Sequence, residues 1–217
     1  MKRYKAIIFD LDGTLLDTLT DLAEGTNYAL RKNGFPERSV EDIRRFVGNG
    51  ARKLIERAVS PDREEWALER VREDFNIFYK EHCKDNTGPY PGIMKMLEEL
   101  AKEGFLLGVV SNKPDFAVQE LVPEYFGSLF SSVSGEREGI AKKPAPDLIW
   151  EAMKNLHVER EEAVYVGDSE VDLQAAANAG ISCISVAWGF KGRKFLEEQK
   201  AEVIVDEPFE ILRYVIQ

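Results

Sequence analysis

Three short apolar runs in this 217-residue sequence stop at residues able to bind charge or move protons. AIIF (6–9) runs into Asp10, with Asp12 two residues on. FLLGVV (105–110) runs into Ser111-Asn112-Lys113, and AVYV (163–166) into Gly167-Asp168. Side chains at i and i+2 of an extended chain share a side, so Asp10 and Asp12 are expected to face one cleft. Carboxylates gathered there repel one another unless a cation lies among them or their pKa values rise. Oxygen donors without a neighbouring histidine suit a hard cation. Mg²⁺ typically takes one or two carboxylates, several waters and a substrate phosphate. Partners for that phosphate are present: backbone N–H groups and a hydroxyl at Gly13-Thr14, the Ser111 hydroxyl, and the charge of Lys143. A metal, a lysine and hydroxyls around an aspartate outline a phosphoryl-transfer site, in which the aspartate can be the nucleophile.

Residues so far apart in sequence meet only if the runs are strands of one parallel sheet, whose carboxyl ends form a common ligand-binding edge. With ISCISV (181–186) and VIV (203–205), the runs read as fully buried strands. Helical spacing fills 93–102, 147–156 and 171–179, with Gly104 and Gly180 as stops. The alternation predicts an α/β fold built on a doubly wound, mostly parallel, Rossmann-like sheet. One stretch breaks it. Residues 17–87 show only helical patterns (19–33, 40–46, 51–59, 62–84), far more chain than a crossover of about a dozen residues requires. A small all-helical domain inserted after the first strand is expected, leaving 1–16 and 88–217 as the core, with 86–89 (NTGP) as the exit hinge. Asp17, Thr18 or Thr20 is expected to cap its first helix.

Composition narrows the function classes. Twenty-nine Lys+Arg against 39 Asp+Glu give a net charge of -10, which repels a polyanion and argues against nucleic acid as a partner. No apolar run approaches the roughly 18 residues of a membrane span, and the N-terminal MKRYKAIIFDLDG does not read as a signal peptide. Cys83 and Cys183 lie far apart without a CxxC spacing, so free thiols and a cytoplasmic location are expected. With only His82 and His157, zinc sites and Ser-His catalysis are poorly supplied, and carboxylates must do any acid–base work. Within the insert, 44–57 (RRFVGNGARKLIER) holds five basic residues and one acidic, a cationic strip on an acidic chain.

DLDGTLLDT (10–18), SNK (111–113), KKPAPD (142–147) and GDSEVD (167–172) resemble, in order and spacing, the four motifs of the haloacid dehalogenase-like hydrolases. The helical insert is similar to that superfamily's first type of cap domain, and the chain as a whole looks most similar to its phosphoglycolate phosphatases. The resemblance implies a phosphoric monoester hydrolase, with Asp10 as nucleophile and Asp12 as general acid and then base. It implies Mg²⁺ held by the Asp10 carboxylate, the Asp12 carbonyl and Asp168, with Asp172 beside the ion orienting its waters. Thr14, Ser111, Asn112 and Lys143 would cradle the phosphoryl group. A small phosphorylated metabolite is the implied partner, on a monomer or homodimer, and 2-phosphoglycolate is the favoured substrate.

Other readings of the same residues remain. Asp172 could be a first-turn helix carboxylate favoured by the macrodipole. Arg45, Arg52 and Lys53 are candidates to touch the substrate's non-phosphate end, or they form a solvated helix face. Trp66, Trp150 and the aromatics of 75–79 are expected to pack helices. Pyrophosphatases and β-phosphoglucomutase-like phosphosugar mutases share the motifs, although Thr14 after the DxDG glycine favours hydrolysis. A phospho-accepting receiver module shares the sheet type but not an insert of this size.

Overall fold

The computed structural model describes residues 4–59 and 64–216. Its centre is a six-stranded sheet of β1 (Ala6–Phe9), β4 (Leu106–Pro114), β5 (Ser132–Glu136), β6 (Ala163–Gly167), β7 (Ser182–Val186) and β8 (Ile204–Val205). The spatial order is β5-β4-β1-β6-β7-β8, and every pairing is parallel. The chain leaves β1 on one side for β4 and β5, then returns to add β6, β7 and β8 on the other. The order therefore reverses at β1, where open α/β sheets bind their ligands.

Strand alternation sorts the core into two layers. Ile7, Phe9, Leu107, Val109, Val164 and Val166 face a layer shared with helices α5 (Ile93–Lys102), α6 (Asp115–Phe126) and α10 (Pro208–Ile216). Ala6, Ile8, Val110, Ala163 and Tyr165 face α7 (Asp147–Leu156) and α8 (Glu170–Ala179). A shorter helix, α9 (Gly192–Glu198), follows β7. The expected strand 6–9 and helices 93–102 and 147–156 have the observed bounds. β5 and α6 had no counterpart in the sequence reading.

Between Asp17 and Gly88 the described residues form four helices and no strand: α1 (Leu19–Lys32), α2 (Val40–Phe46), α3 (Gly50–Ala58) and α4 (Glu65–His82). The expected start of the last helix, at 62, lies outside the described residues. The two connections to the sheet run side by side as a short antiparallel pair, β2 (Leu16–Asp17) and β3 (Gly88–Pro89), with Leu16 opposite Pro89. Asp21, only 2% exposed, clamps this neck. Its carboxylate accepts bonds from the Asn86 and Thr87 backbone N–H groups and from the Thr87 hydroxyl at 2.7 Å.

Two expectations hold in part. Trp66 lies 65% exposed on the surface, whereas Trp150 joins α7 to α8 by donating Nε1–H to the Ala179 carbonyl at 3.3 Å. Of the three cap candidates, Asp17 accepts from the Leu19 N–H at 3.3 Å, while Thr18, at the N-cap position, turns its hydroxyl to Asp12 instead. No helix among the described residues is long and apolar enough to cross a membrane.

Candidate active site

Asp10 directly follows β1, at the point where the strand order reverses. Continuing the alternation of Ala6 and Ile8 sends its side chain to the α7–α8 face. There Lys143 Nζ meets Asp10 Oδ1 at 2.9 Å, Asp172 Oδ1 at 2.7 Å and the Tyr165 hydroxyl at 2.9 Å. The Tyr165 hydroxyl in turn donates a hydrogen bond to the Val110 carbonyl at 3.0 Å, so the lysine is braced from the floor of the sheet.

Asp168 follows β6, and Phe190 N–H donates to its Oδ2 at 2.7 Å. Asp172, in the first turn of α8, accepts from Ser169 N–H and Oγ through Oδ2. Gly167 makes that approach possible, since a Cβ there would collide with the Asp172 carboxyl group. Asp10, Asp168 and Asp172 each bring a carboxylate oxygen within 4.8 Å of the others.

One buried ammonium shared by this group does not balance it. Burial pushes the Asp10 carboxyl up to about 7; Lys143 pulls it back, while Asp172 and Asp12 push it further. Asp168 is raised well above the usual carboxylate range by burial, then by Asp172 and Asp10. Burial pulls the Lys143 ammonium down, but Asp10 and Asp172 outweigh it and hold it above its ordinary value.

The donor set fits a hard divalent cation: carboxylates alone, with no histidine or cysteine among them. Asp10 Oδ2 and Asp168 Oδ1 make no hydrogen bond among the described residues, whereas both oxygens of Asp172 are engaged.

Asp12 shares the cavity with Asp10 but not its partners. Its Oδ1 accepts from Thr18 Oγ1 at 2.8 Å and from Lys113 Nζ at 2.9 Å. Along the end of β4, alternation separates the polar side chains. Lys113 turns to Asp12, while Asn112 donates to the Lys143 carbonyl at 2.9 Å and, across to the insert, to the Gly48 carbonyl at 3.1 Å. The Ser111 hydroxyl accepts from Lys113 N–H. Asn112 Oδ1 and Thr14 Oγ1 are buried without a partner among the described residues. Ser111 and Asn112 line the cavity; Thr14 is not among its lining residues, and its carbonyl accepts from Trp188 Nε1.

Cavity walls come from both the sheet edge and the insert, and the insert contributes Leu22, Leu54, Phe75 and Tyr79. The cationic strip faces away. Arg45 pairs with Asp42, Arg52 with Glu56, Glu65 and Glu69, and Lys53 with Glu56, and none of the three lines this cavity. Acids three or four residues away on the same helix capture these bases, and for Arg52 two further acids come from α4. The cation that does line it beyond the motifs is Lys191, from the loop after β7, half-buried and 3.4 Å from the Arg45 and Val47 carbonyls.

The profile of the haloacid dehalogenase-like hydrolases matches residues 7–186, most of the chain and every motif above. This protein is a haloacid dehalogenase-like hydrolase. Among curated members of the family, the phosphoglycolate phosphatase of Vibrio parahaemolyticus is 35% identical over 218 residues, covering 97% of this chain and 96% of that one. The phosphoglycolate phosphatase of Pseudomonas syringae pv. tomato is 35% identical over 208 residues, covering 93% and 76%. A crystal structure of a candidate phosphoglycolate phosphatase from Lactobacillus delbrueckii subsp. bulgaricus superposes with a TM-score of 0.94 at 39% identity, covering 100% and 99%. CbbY from Rhodobacter sphaeroides, crystallised with phosphate, gives 0.74 at 26% identity, covering 96% of both chains.

For this hydrolase, Lys113, Tyr79 and Lys191 are the residues sequence reasoning left without a role. Lys113 stood inside the SNK triplet and was legible as a motif letter. Nothing in the sequence pointed from Tyr79 or Lys191 to the site.

Proposed function

We propose that this protein is a Mg²⁺-dependent phosphatase of small phosphomonoesters that works through a phosphorylated Asp10, with 2-phosphoglycolate as its favoured substrate. The observation that carries the reading is the Asp10 environment: a buried carboxylate at the strand switch, touched by Lys143 and set within 4.8 Å of Asp168 and Asp172. Phosphatase names on relatives aligned over nearly the whole chain support it.

In this scheme an Asp10 oxygen attacks phosphorus and the ester P–O bond breaks. Protonated Asp12 gives its proton to the departing oxygen, and Asp12 carboxylate then takes a proton from the water that attacks the aspartyl-phosphate. Inorganic phosphate leaves, and both carboxyl groups return to their starting states. Lys143, Ser111 and Asn112 would hold the phosphoryl oxygens, and Thr14, whose buried side chain does not line the cavity, is left out of the cradle. Mg²⁺, when bound by Asp10, Asp168 and the Asp12 carbonyl, neutralises the clustered charge and acts as a Lewis acid toward the phosphoryl group. Asp172 would hold Lys143 and the ion's surroundings in place.

The helical residues 17–87 would act as a cap domain over a core of 1–16 and 88–217, excluding water during transfer. The neck of two paired strands supports that division. Substrate choice would rest less on the paired strip than on Lys191, the cavity cation without a carboxylate partner among the described residues, which suits the carboxylate of phosphoglycolate. The acidic charge and two free thiols agree with a cytoplasmic enzyme of small metabolites, working as a monomer or homodimer without nucleic acid.

The test is turnover of 2-phosphoglycolate with Mg²⁺. Asp10→Asn should lower kcat by at least about 10³-fold with the fold retained, and EDTA should abolish activity that Mg²⁺ restores. Near-normal turnover by Asp10→Asn would rule out the covalent route.

A further inference from the structure

Lys113 and Tyr79 have no part in the scheme above, yet both are buried at the site. Lys113 Nζ donates to Asp12 Oδ1 at 2.9 Å and to the Tyr79 hydroxyl at 2.6 Å, and it stands 4.7 Å from the centre of the Tyr79 ring. Burial pulls the ammonium down, but Asp12 and Tyr79 hold it above the ordinary lysine value. Thr18 Oγ1 donates to the same Asp12 oxygen at 2.8 Å. Oδ1 is therefore committed as a double acceptor, and Oδ2 makes no hydrogen bond among the described residues. The oxygen left free to meet the leaving group is therefore Oδ2.

The ammonium that enforces this choice sits on a flexible stem, and its second anchor lies on another part of the molecule. Tyr79 belongs to α4 of the insert, while Asp12 and Lys113 belong to the sheet edge. The Tyr79 ring is itself fixed. It stacks on Phe75 at 5.0 Å and lies against Gly25 of α1, where a Cβ would come within 3.3 Å of it.

We propose that Tyr79, acting through Lys113, is a positioning residue that holds the Asp12 carboxyl group by Oδ1 and so leaves Oδ2 facing the leaving group. This inference rests on the acid role of Asp12 in the proposed function.

The experiment compares two small substrates by kcat/KM, which reports the steps up to departure of the leaving group. The alkoxide of 2-phosphoglycolate needs a proton to leave, whereas the acetate of acetyl phosphate does not. Tyr79→Phe keeps the ring and removes only the hydroxyl. It should lower kcat/KM for 2-phosphoglycolate about tenfold, part of the ~10²–10⁴-fold that a positioned acid supplies, and for acetyl phosphate several-fold less. Lys113→Met should shift the ratio in the same direction and further. Adding Tyr79→Phe to it should change the ratio no more, because the tyrosine acts through the lysine. Equal losses on both substrates in Tyr79→Phe, or additive shifts in the double variant, would overturn the proposal. Asp12→Asn separates the two levels. If it discriminates between the substrates and Tyr79→Phe does not, the coupling fails while the phosphatase scheme stands; if Asp12→Asn does not discriminate either, the acid role itself fails.

Discussion

At the residue scale, the sign of the Asp10 shift fixes a pH dependence. Its carboxyl is pushed from the ordinary 3.8 to about 7 in the fold, first by burial, so between those values the folded protein holds more protons than the unfolded chain. Stability falls with rising pH wherever the native state binds the extra proton. The metal-free protein should therefore lose stability from about pH 4 to about pH 7, with Asp168 adding in the same direction. Thermal unfolding in EDTA should give a Tm that drops over this range, less steeply in Asp10→Asn. Mg²⁺ should raise Tm more at the upper end than at the lower, and a Tm independent of pH and of Mg²⁺ would contradict the carboxylate cluster. Asp10 and Asp168 were legible because each follows an apolar run, and Asp12 because it stands two residues after Asp10, so one string of letters states both the strand and its rim residues. The Tyr79–Lys113 bond was not, since it joins residues 34 apart with no shared periodicity.

Among the elements, the strands with unbroken apolar runs were legible and those without were not. β5 reads SVSGE, and small polar residues mark it as a loop, yet Ser132 and Ser134 are buried against β4 and α7. α6 was hidden by Pro123 in its interior and by Pro114 at its start. Among the three cap candidates Thr18 turns to the Asp12 carboxylate, a charged and therefore stronger partner, and Asp17 is the one that accepts from a first-turn N–H. The neck was foreseen only as a hinge at 86–89; its clamp is a long-range contact from α1. Asp21 accepts donors on both oxygens, so Asp21→Asn points an amide N–H at another donor. Denaturant unfolding should show a loss of about 1–3 kcal/mol, and a change below the error of extrapolation would mean the neck is held elsewhere.

On the scale of the whole molecule, the charge of a short stretch of sequence differs from the charge its side chains present in the fold. The strip at 44–57 looked cationic because its acids lie outside the window: Glu65 and Glu69 come from the next helix and meet Arg52 only in the fold. Alanine at Arg45, Arg52 or Lys53 should leave KM for 2-phosphoglycolate within about twofold, since exposed pairs contribute little. Lys191→Met should raise that KM about tenfold, the worth of one charged hydrogen bond, and should affect acetyl phosphate less. A KM that follows the strip and ignores Lys191 would return substrate choice to the outer face. One feature of the architecture reaches past this single chain. Leu16 and Pro89 stand opposite each other, so everything between them departs and returns through adjacent points on the sheet. A designer could excise that span, close the gap with a tight turn or graft a different module there, and the catalytic floor would keep its strand order.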